Sequence, residues 1–415
     1  MSLTVDKQAE QSKLTGEMRL SIALTFFAFI LIGANDGGLG VLIPSIRAYY
    51  HIDNIVLSYI FIAASLGYII SALFCGLLIE KLGIRRFLIV AAIDYVIGAG
   101  IYSLQPPFTV LLLAAFFLGT SVGSMDAGLN SYIAALPNNT RLLNYLHAFY
   151  GAGAWLGPII GAGLLALQLR WGSIYIAWGT IALIVLIGLF TIFRVQSPAQ
   201  HHRELEAELR PHENVLRATL RVRVVWIACL LFVFYTGTEV STGNWSVTFL
   251  LGQRHTSEFV AGWIISGYWL GLTLGRVVLG HIAERIGPAT LVMYSMLGAI
   301  CGVLIIWLVS TTVGAILGLF VIGFCLGPIF PTVVSLMPTF VAPRLVPSAI
   351  GFLASSANIG AALLSWLAGS LIEHVSLIAL WPYEVFIITA MLALWLILIK
   401  QGKNSTSSVV EVYHR

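Results

Sequence analysis

Long apolar segments separated by short polar turns make up most of the chain. A helix needs roughly twenty apolar residues to cross the hydrocarbon core of a bilayer. Twelve segments fit this length, and the predicted spans are 20–43, 57–79, 87–104, 108–136, 144–167, 173–195, 222–251, 258–279, 289–309, 312–340, 348–371 and 383–400. Gly and Pro interrupt several of them, which membrane helices tolerate when they pack against other helices. The pattern therefore predicts an all-α membrane protein with twelve transmembrane helices.

One long polar connection divides the predicted spans into two sets of six. It contains the stretch SPAQHHRELEAELRPHENVLRA, which we interpret as a solvated cytoplasmic linker. The predicted organisation has an N-terminal six-helix bundle at 1–195 and the linker at 196–221. A C-terminal six-helix bundle follows at 222–400, with a cytoplasmic tail at 401–415.

Composition agrees with a chain embedded in lipid. Hydrophobic residues make up 59% of the sequence and charged residues only 10%, whereas soluble domains carry about 25% charged residues. The net charge is +4, but the basic residues lie in loops between apolar spans, so we expect no nucleic-acid partner. The four cysteines lie singly within predicted spans and lack the spacing of a disulfide framework or a metal site. We expect them to be packing residues.

The distribution of Lys and Arg predicts the orientation of the spans. When the N-terminus is placed in the cytoplasm, the loops on the opposite side hold only Arg47, Arg170 and Arg254. Cytoplasmic loops of membrane proteins carry such an excess of basic residues. We therefore expect a multi-pass protein of the cell (inner) membrane, in contact with the lipid bilayer, with both termini in the cytoplasm. We expect it to be a monomer.

The two halves of the chain repeat each other. GLLIEKLGIRR follows the second predicted span, and GHIAERIG follows the eighth. A shift of 204 positions superposes three residue pairs of these loops: Gly76 on Gly280, Glu80 on Glu284, and Gly83 on Gly287. Duplicated six-helix halves related by an axis along the membrane normal are typical of one transporter architecture.

On these residues the sequence resembles the major facilitator superfamily, whose loop after the second helix reads Gly-x3-Asp-x2-Gly-Arg-Lys/Arg. Glu80 replaces the aspartate here, and Ile84 precedes the two arginines. The resemblance covers nearly the whole chain and implies a transporter, not an enzyme, whose halves rock around a central site. It implies gating roles for the loop residues Gly76, Glu80, Gly83, Arg85, Arg86, Arg141, Arg276, Glu284 and Arg285. For Arg276 we expect an ion pair with Glu284 or a position at a helix end.

Acidic residues within the predicted spans carry the main functional signal. An acid at the centre of a membrane helix costs about 2.5–3.5 kcal/mol on insertion scales, so it faces a cavity or a partner. Four residues qualify by position: Asp36, Asp94, Asp126 and Glu239. Asn130 lies one helical turn after Asp126 and shares its face. The 204-residue shift takes Asn35 onto Glu239. For Asp94, which has no motif around it, structural pairing stays an open alternative.

Several stretches are similar to the fucose–proton symporter family of sugar transporters. Asp126-Ala-Gly-Leu-Asn130 resembles that family's Glu-Thr-Ala-Ala-Asn stretch, whose acid takes part in proton coupling. Further matches follow in the same order: Arg141-Leu-Leu-Asn144, His147-Ala-Phe-Tyr-Gly151, TGTEVSTGNW, Tyr268-Trp269-x-Gly271 with Gly275-Arg276, and Ile329-Phe330-Pro331-Thr332. Two positions depart from the family, because His147 stands where glutamine is usual and Asp36 lies one turn from the expected place.

This resemblance implies a secondary active symporter of a monosaccharide or a similar neutral polar solute, coupled to a proton or a sodium ion and needing no other cofactor. The implied cation-coupling residues are Asp126, Asp36 and Glu239. Aromatic rings and amides suit the C–H faces and hydroxyl groups of a sugar. The implied solute-binding residues are Asn35, Asn130, Asn144, His147, Tyr150, Glu239, Asn244, Trp245, Tyr268, Trp269 and Asn358. The tryptophans and His147 could equally be packing residues.

Two other functions compete with this hypothesis. A proton-coupled drug or lipid exporter on the same fold also needs an acid that meets a cation, so the sequence does not separate it from a symporter. A membrane sensor or an intramembrane enzyme is disfavoured because the tails are short. The loop histidines also lack the spacing of a metal site or a nucleophile–base pair: His201, His202, His281 and His374.

Overall fold

The computed structural model describes residues 16–136, 139–194, 215–342 and 345–413. Regular structure in these ranges is helical, without a β-strand, as the apolar pattern predicts. The long helices are α1 (Gly16–Tyr50), α2 (Asn54–Leu82), α3 (Ile84–Ser103), α4 (Phe108–Ala134), α5 (Asn139–Ala166), α6 (Gly172–Thr191), α7 (Arg223–Gln253), α8 (Glu258–Ile286), α9 (Pro288–Leu308), α10a (Thr312–Leu326), α10b (Ile329–Phe340), α11 (Val346–His374) and α12 (Leu380–Tyr413). Two short pieces, Val215–Leu220 and the 3₁₀ turn Leu377–Ala379, precede α7 and α12.

These helices make the chain a multi-pass integral membrane protein. In the described residues, 11 helical segments are long and apolar enough to cross a bilayer, with α10a and α10b counted together. The third predicted span corresponds to α3, which is 20 residues long and is not among the 11. It carries Arg85, Arg86 and Asp94, which lower its apolar character.

The tenth predicted span is broken, although the sequence predicts it as one helix over 312–340. Helix α10a ends at Leu326 and α10b begins at Ile329. Pro328 stands at the break, where its missing N–H cannot continue the hydrogen-bond pattern. A Cβ on Gly327 would clash with backbone atoms of Leu272 and Arg276 on α8. The glycine therefore allows α8 to approach the break closely.

The 204-residue repeat is visible in the backbone conformation of the loops. Gly83 and Gly287, superposed by this shift, both adopt the left-handed region, with φ of 76° and 85°. The shift also relates His51 to His255, whose φ angles are 53° and 51°. These four residues occupy matching places at helix ends, so the two halves turn their chains in the same way.

Helix starts and helix packing repeat with the same shift. Asp53 caps α2 by accepting a hydrogen bond from Val56 N at 2.7 Å, and Ser257 caps α8 by accepting one from Val260 N at 3.3 Å. Such caps satisfy backbone donors that the helix leaves free.

The closest helix contacts repeat as well. A Cβ on Gly67 of α2 would clash with the α4 backbone at Phe116, and a Cβ on Gly271 of α8 would clash with the α10a backbone at Phe320. Small residues at such contacts let membrane helices approach closely.

Contacts along the chain define two compact units. The first comprises Met1–Asp36, Leu66–Ala154 and Gly172–Leu209, and the second comprises Gly37–Ser65, Trp155–Trp171 and Arg210–Arg415. Helices α1, α2 and α5 therefore contribute residues to both units. The division into two bundles of six helices stays a prediction from the sequence. Each unit buries large aromatic side chains, among them Tyr95 and Trp178 in the first, and Trp245 and Trp395 in the second.

Candidate functional site

The carboxyl group of Asp126 lies between α2 and α4 in the first unit. Its Oδ2 accepts a hydrogen bond from the Tyr68 hydroxyl, and its Oδ1 accepts one from Asn130 Nδ2 at 2.9 Å. The same Asn130 nitrogen lies 2.9 Å from the backbone oxygen of Asp126. All three side chains are only half-buried. Both carboxyl oxygens thus have a donor that replaces water, which a polar group inside a membrane requires.

Asp36 on α1 has a similar environment. Its Oδ2 accepts a hydrogen bond from the Tyr150 hydroxyl of α5 at 3.0 Å, and its Oδ1 accepts one from Asn35 Nδ2 at 3.2 Å. The Tyr95 hydroxyl of α3 donates in turn to Asn35 Oδ1 at 3.2 Å. Three predicted site residues, Asn35, Asp36 and Tyr150, therefore lie in one hydrogen-bonded group with Tyr95 of α3.

These two carboxyl groups belong to one polar cluster. The charges of both Asp126 and Asp36 act on the Tyr68 hydroxyl, which places them near each other within the first unit. We call this group the tyrosine–aspartate cluster and define it by seven residues: Asn35, Asp36, Tyr68, Tyr95, Asp126, Asn130 and Tyr150. Its phenols and amides can donate to a carboxylate or to a solute hydroxyl, and its two acids can accept a proton or a cation.

Asp94 lies outside this cluster. Its Oδ2 accepts a hydrogen bond from the Thr120 hydroxyl of α4 at 2.6 Å. This contact joins α3 to α4 and supports the structural pairing that the sequence left open.

In the second unit, Glu239 forms an ion pair within the apolar segment. Its Oε1 lies 3.8 Å from Arg276 Nη2 on α8, with exposed side-chain fractions of 11% and 26%. The Tyr268 hydroxyl donates to the backbone oxygen of Glu239 at 2.8 Å. Arg276 thus has a partner on α7 that the sequence did not predict. The expected pair with Glu284 stays a prediction, because that side chain lies outside the described ones.

The predicted aromatic site residues of the second unit are buried. Trp245 is 0% exposed, and its indole N–H donates to Ser365 O of α11 at 2.9 Å. Tyr268 and Trp269 are 0% and 4% exposed, and their rings lie edge to face with centroids 5.1 Å apart. Asn244 is also buried. These contacts favour packing for Trp245, the alternative considered for the tryptophans.

Other predicted solute-binding residues lie apart from these contacts. His147 is exposed and meets the Phe29 ring edge to face at 5.9 Å. Asn358 is half-buried, and its Nδ2 donates to Ala354 O on its own helix at 3.1 Å. The side chains of Asn144 and Arg141 lie outside the described ones.

Apart from Arg276, the predicted gating residues with described side chains lie in the last turns of α2 and α8, in the α2–α3 loop or at the start of α3. Arg85 donates from Nε to the Leu189 backbone oxygen at 3.0 Å and from Nη2 to that of Phe190, both on α6. A cation there interacts favourably with the carbonyl groups at the end of a helix. Three other predicted gating residues are exposed: Glu80, Arg86 and Arg285. A Cβ added to Gly76 or Gly83 would meet no atom within 4 Å.

A further ion pair in the second unit joins the α1–α2 turn to the end of α11. Glu373 Oε2 lies 3.7 Å from Arg47 Nη2 and accepts hydrogen bonds from the backbone N and Nδ2 of Asn54 at 3.1 and 2.6 Å. The sequence analysis did not identify this group. From the sequence, Arg47 was noted only as one of the three arginines in loops on the side away from the cytoplasm.

Two partners of the site were also missed in the sequence. Tyr68 and Tyr95 lie in apolar spans, and only the rotation of their helices shows that Tyr68 donates to Asp126 and Tyr95 to Asn35. Glu384, a buried acid on α12, lies within the predicted twelfth span, so the rule applied to the other intramembrane acids could have found it.

Among the described residues, no group of three or more His, Cys, Asp or Glu side chains could hold a metal ion.

Comparison with curated proteins finds similar proteins over most of the chain, several of them named as transporters. The chain is 25% identical to the protein named Bypass of stop codon protein 6 of Saccharomyces cerevisiae, with 91% of this chain and 82% of that protein covered. It is 22% identical to the glucose/mannose transporter GlcP of Bacillus subtilis, with coverage of 82% and 85%.

Solved structures share the fold. The nucleoside transporter NupG has a TM-score of 0.74 at 15% identity, with 94% of this chain and 100% of that chain covered. The E. coli fucose:proton symporter FucP has a TM-score of 0.64 at 17% identity, with coverage of 91% and 98%. The family model of the Major Facilitator Superfamily matches residues 25–252 and 227–409, which together span nearly all of the helical region. The chain therefore belongs to the Major Facilitator Superfamily of transporters.

Proposed function

We propose that this chain is a cation-coupled symporter of a monosaccharide or a similar neutral polar solute, working by alternating access. The observation that carries the proposal is the tyrosine–aspartate cluster, in which Asp126 and Asp36 are held by phenol and amide donors. Acids within membrane helices mark pathways for protons, ions or substrates. In this proposal the protein lies in the cell membrane as a monomer, with both termini in the cytoplasm.

The chemistry of the cluster fits a neutral polar solute. Amide and phenol groups can donate and accept hydrogen bonds, as Asn35, Asn130 and Tyr150 already do with the two acids. Sugar hydroxyls could replace such partners one for one. The printed names of two similar proteins, a glucose/mannose transporter and a fucose:proton symporter, agree with this solute class.

Asp126 is the proposed coupling residue. Burial disfavours the charged form of a carboxyl group, and hydration favours that form. Whether the Asp126 carboxyl holds a cation therefore depends on the conformation of the protein around it. A solute that binds better when the cation is present is then coupled to the cation gradient by linkage. Tyr68 and Asn130 would hold the carboxylate after the cation leaves. Asp36 is the second proposed coupling acid, and Glu239 would take part only in a conformation in which its pair with Arg276 is open.

The Glu373 group is the proposed contact that changes during alternating access. It joins the α1–α2 turn to α11 through Arg47 and Asn54. On the orientation predicted from the basic residues, this end faces away from the cytoplasm. We expect these contacts to break when the protein opens to that side.

Uptake into proteoliposomes tests the proposed function. Purified protein is reconstituted, and radiolabelled monosaccharides are supplied under an inward proton gradient, an inward sodium gradient or neither. The proposal predicts accumulation above the external concentration under one gradient, and its collapse when an ionophore dissipates that gradient. Accumulation of no sugar under either gradient contradicts it. Cation-driven efflux of a drug or lipid probe would instead identify the exporter.

A further inference from the structure

Glu384 on α12 is a buried acid that the proposed coupling site does not include. It is 0% exposed and belongs to the second unit. Removing a carboxylate from water costs several kcal/mol even after the protein relaxes, so a buried acid needs a proton, a cation or strong donors. The groups around Glu384 therefore indicate what the carboxyl binds.

Three hydroxyl groups of α7 surround this carboxyl. The Ser241 hydroxyl donates a hydrogen bond to Glu384 Oε1, and the hydroxyls of Thr238 and Thr242 are oriented toward the same carboxyl at about hydrogen-bonding range. Their spacing of three and four residues places all three on one face of α7. Each is 0% exposed, so protein atoms enclose this group in the conformation seen here.

Protein atoms leave part of this group unsatisfied. Thr238 Oγ1, Thr242 Oγ1 and Glu384 Oε2 are buried, and no hydrogen-bond partner is found for them among the residues that the structure describes. The threonine hydroxyls are thus near the carboxyl without reaching hydrogen-bond geometry. Buried polar side-chain atoms are ordinarily paired. A proton on Glu384 Oε2 would pair that oxygen with one threonine oxygen and leave the other threonine oxygen without a partner.

The neighbouring charges do not neutralise Glu384. Arg276, the cation of this region, is paired with Glu239 on α7. The Tyr268 hydroxyl is within electrostatic range of both Glu239 and Glu384, but it donates to the Glu239 backbone. A small cation among the four oxygen-bearing side chains would balance the carboxylate and give each free oxygen a partner.

We propose that Glu384, Ser241, Thr238 and Thr242 form a binding site for Na⁺. Hard cations take carboxylate, hydroxyl and carbonyl oxygens as ligands. One carboxylate matches the charge of a monovalent ion, whereas divalent sites usually draw on more acidic ligands. The site does not depend on the proposed solute or on Asp126, because ion binding can be measured on purified protein without any solute.

Thermal unfolding of the purified full-length protein, together with ²²Na⁺ binding, tests the site. A ligand that binds only the folded state raises the unfolding temperature as its concentration increases. We expect NaCl to raise it in a saturable way, compared with KCl or choline chloride at equal ionic strength. Glu384→Gln should abolish both the shift and the bound ²²Na⁺. Asp94→Asn, at an acid that is paired with Thr120 and belongs to neither site, should retain both.

A milder variant keeps the test decisive when Glu384→Gln does not fold. Thr242→Val keeps the shape of the side chain and removes one proposed ligand, so the half-saturating Na⁺ concentration should rise at least about tenfold. Thr248→Val is the matched control. It removes another buried hydroxyl without a described partner, six residues or about 9 Å further along α7, and should leave Na⁺ binding unchanged. Absence of Na⁺-selective stabilisation, or its persistence in Glu384→Gln, would overturn the proposal, as would a response to pH alone.

Discussion

The two halves of the chain use one scaffold for different chemistry. Gly67 and Gly271, related by the 204-residue shift, allow the same close approach of helices. The same shift takes Asp126, a member of the tyrosine–aspartate cluster, onto Phe330, whose ring packs 4.9 Å from that of Phe232. These two packing positions thus carry the same residue in both halves, whereas the position of Asp126 carries an aromatic ring in the second half.

The first two helices of each half show the same division. Asn35 corresponds to Glu239, and Ala72 corresponds to Arg276. The first half therefore holds its acids with neutral phenols and amides, while the second half holds Glu239 with a permanent cation. A neutral donor leaves the acid able to exchange a proton or cation, and an arginine does not. The comparison therefore favours, for the proposed coupling, ion exchange by the cluster of the first half over exchange by Glu239 in the second.

Breaking the ion pair should have the largest effect on stability. Removing one partner of a buried pair leaves an uncompensated charge, at a cost of about 3–5 kcal/mol. Because Arg276 is 26% exposed, we expect Arg276→Ala to cost about 3 kcal/mol, the lower end of that range. Thermal unfolding in detergent measures the change. The double variant with Glu239→Gln should recover part of the loss, and a purely additive loss would contradict the pair.

The glycine contacts should respond equally in the two halves. Gly67→Ala and Gly271→Ala each place a Cβ against a helix backbone, and overpacking of this kind costs typically about 1–3 kcal/mol. Gly76→Ala and Gly280→Ala are matched controls on the same two helices, since nothing lies within 4 Å of either added Cβ. Unfolding temperatures should fall for the first pair alone. A large difference between Gly67→Ala and Gly271→Ala would show that the halves do not pack equivalently.

Substitution of one tyrosine in each half should have different effects on transport. Tyr68→Phe removes a donor to a carboxylate, and hydrogen bonds to charged groups contribute about 1.5–3 kcal/mol. Because Tyr68 is half-buried, we expect its loss to lower the free energy of unfolding by about 1.5 kcal/mol. Tyr268→Phe removes a donor to a backbone oxygen, with a smaller expected cost of about 1 kcal/mol. Gradient-driven uptake should fall in Tyr68→Phe and stay near wild type in Tyr268→Phe. The reverse order of uptake would contradict the assignment of coupling to the first half.

Removal of the two helix caps should give the smallest changes in stability, and the change should be similar in the two halves. Asp53→Ala and Ser257→Ala each remove an N-cap acceptor, and such changes cost typically about 1 kcal/mol. Both variants should unfold a little earlier than wild type in the same detergent. A loss in only one of them would mean that the cap is not equivalent in the two halves.

Much of the fold could be predicted because it depends on local patterns. Apolar length sets the spans, and the loop repeat already aligned Gly83 with Gly287, which share a left-handed backbone. The break at Gly327–Pro328 could not be predicted with the same ease. Membrane helices tolerate glycine and proline when neighbours satisfy the backbone, so the residues alone do not distinguish a kink from an interruption.

The site divides in the same way between local and long-range features. The contact of Asp126 with Asn130 follows from a spacing of four residues on one helix. The donor Tyr68 comes from another helix, and helix rotation decides which residues of an apolar span point inward. For Arg276, the loop motif directed attention to Glu284 on the same helix, whereas the observed partner comes from α7. Contacts between helices depend on packing that a single sequence does not encode locally.

Transport by Asp126→Asn tests the central claim most directly. Proteoliposomes containing the variant are compared with wild type for uphill sugar uptake under the coupling gradient and for counterflow exchange without a gradient. If Asp126 couples the cation to the solute, accumulation should fall about 5–150-fold, the range of typical coupling free energies, while counterflow continues. Accumulation equal to that of wild type would contradict the claim.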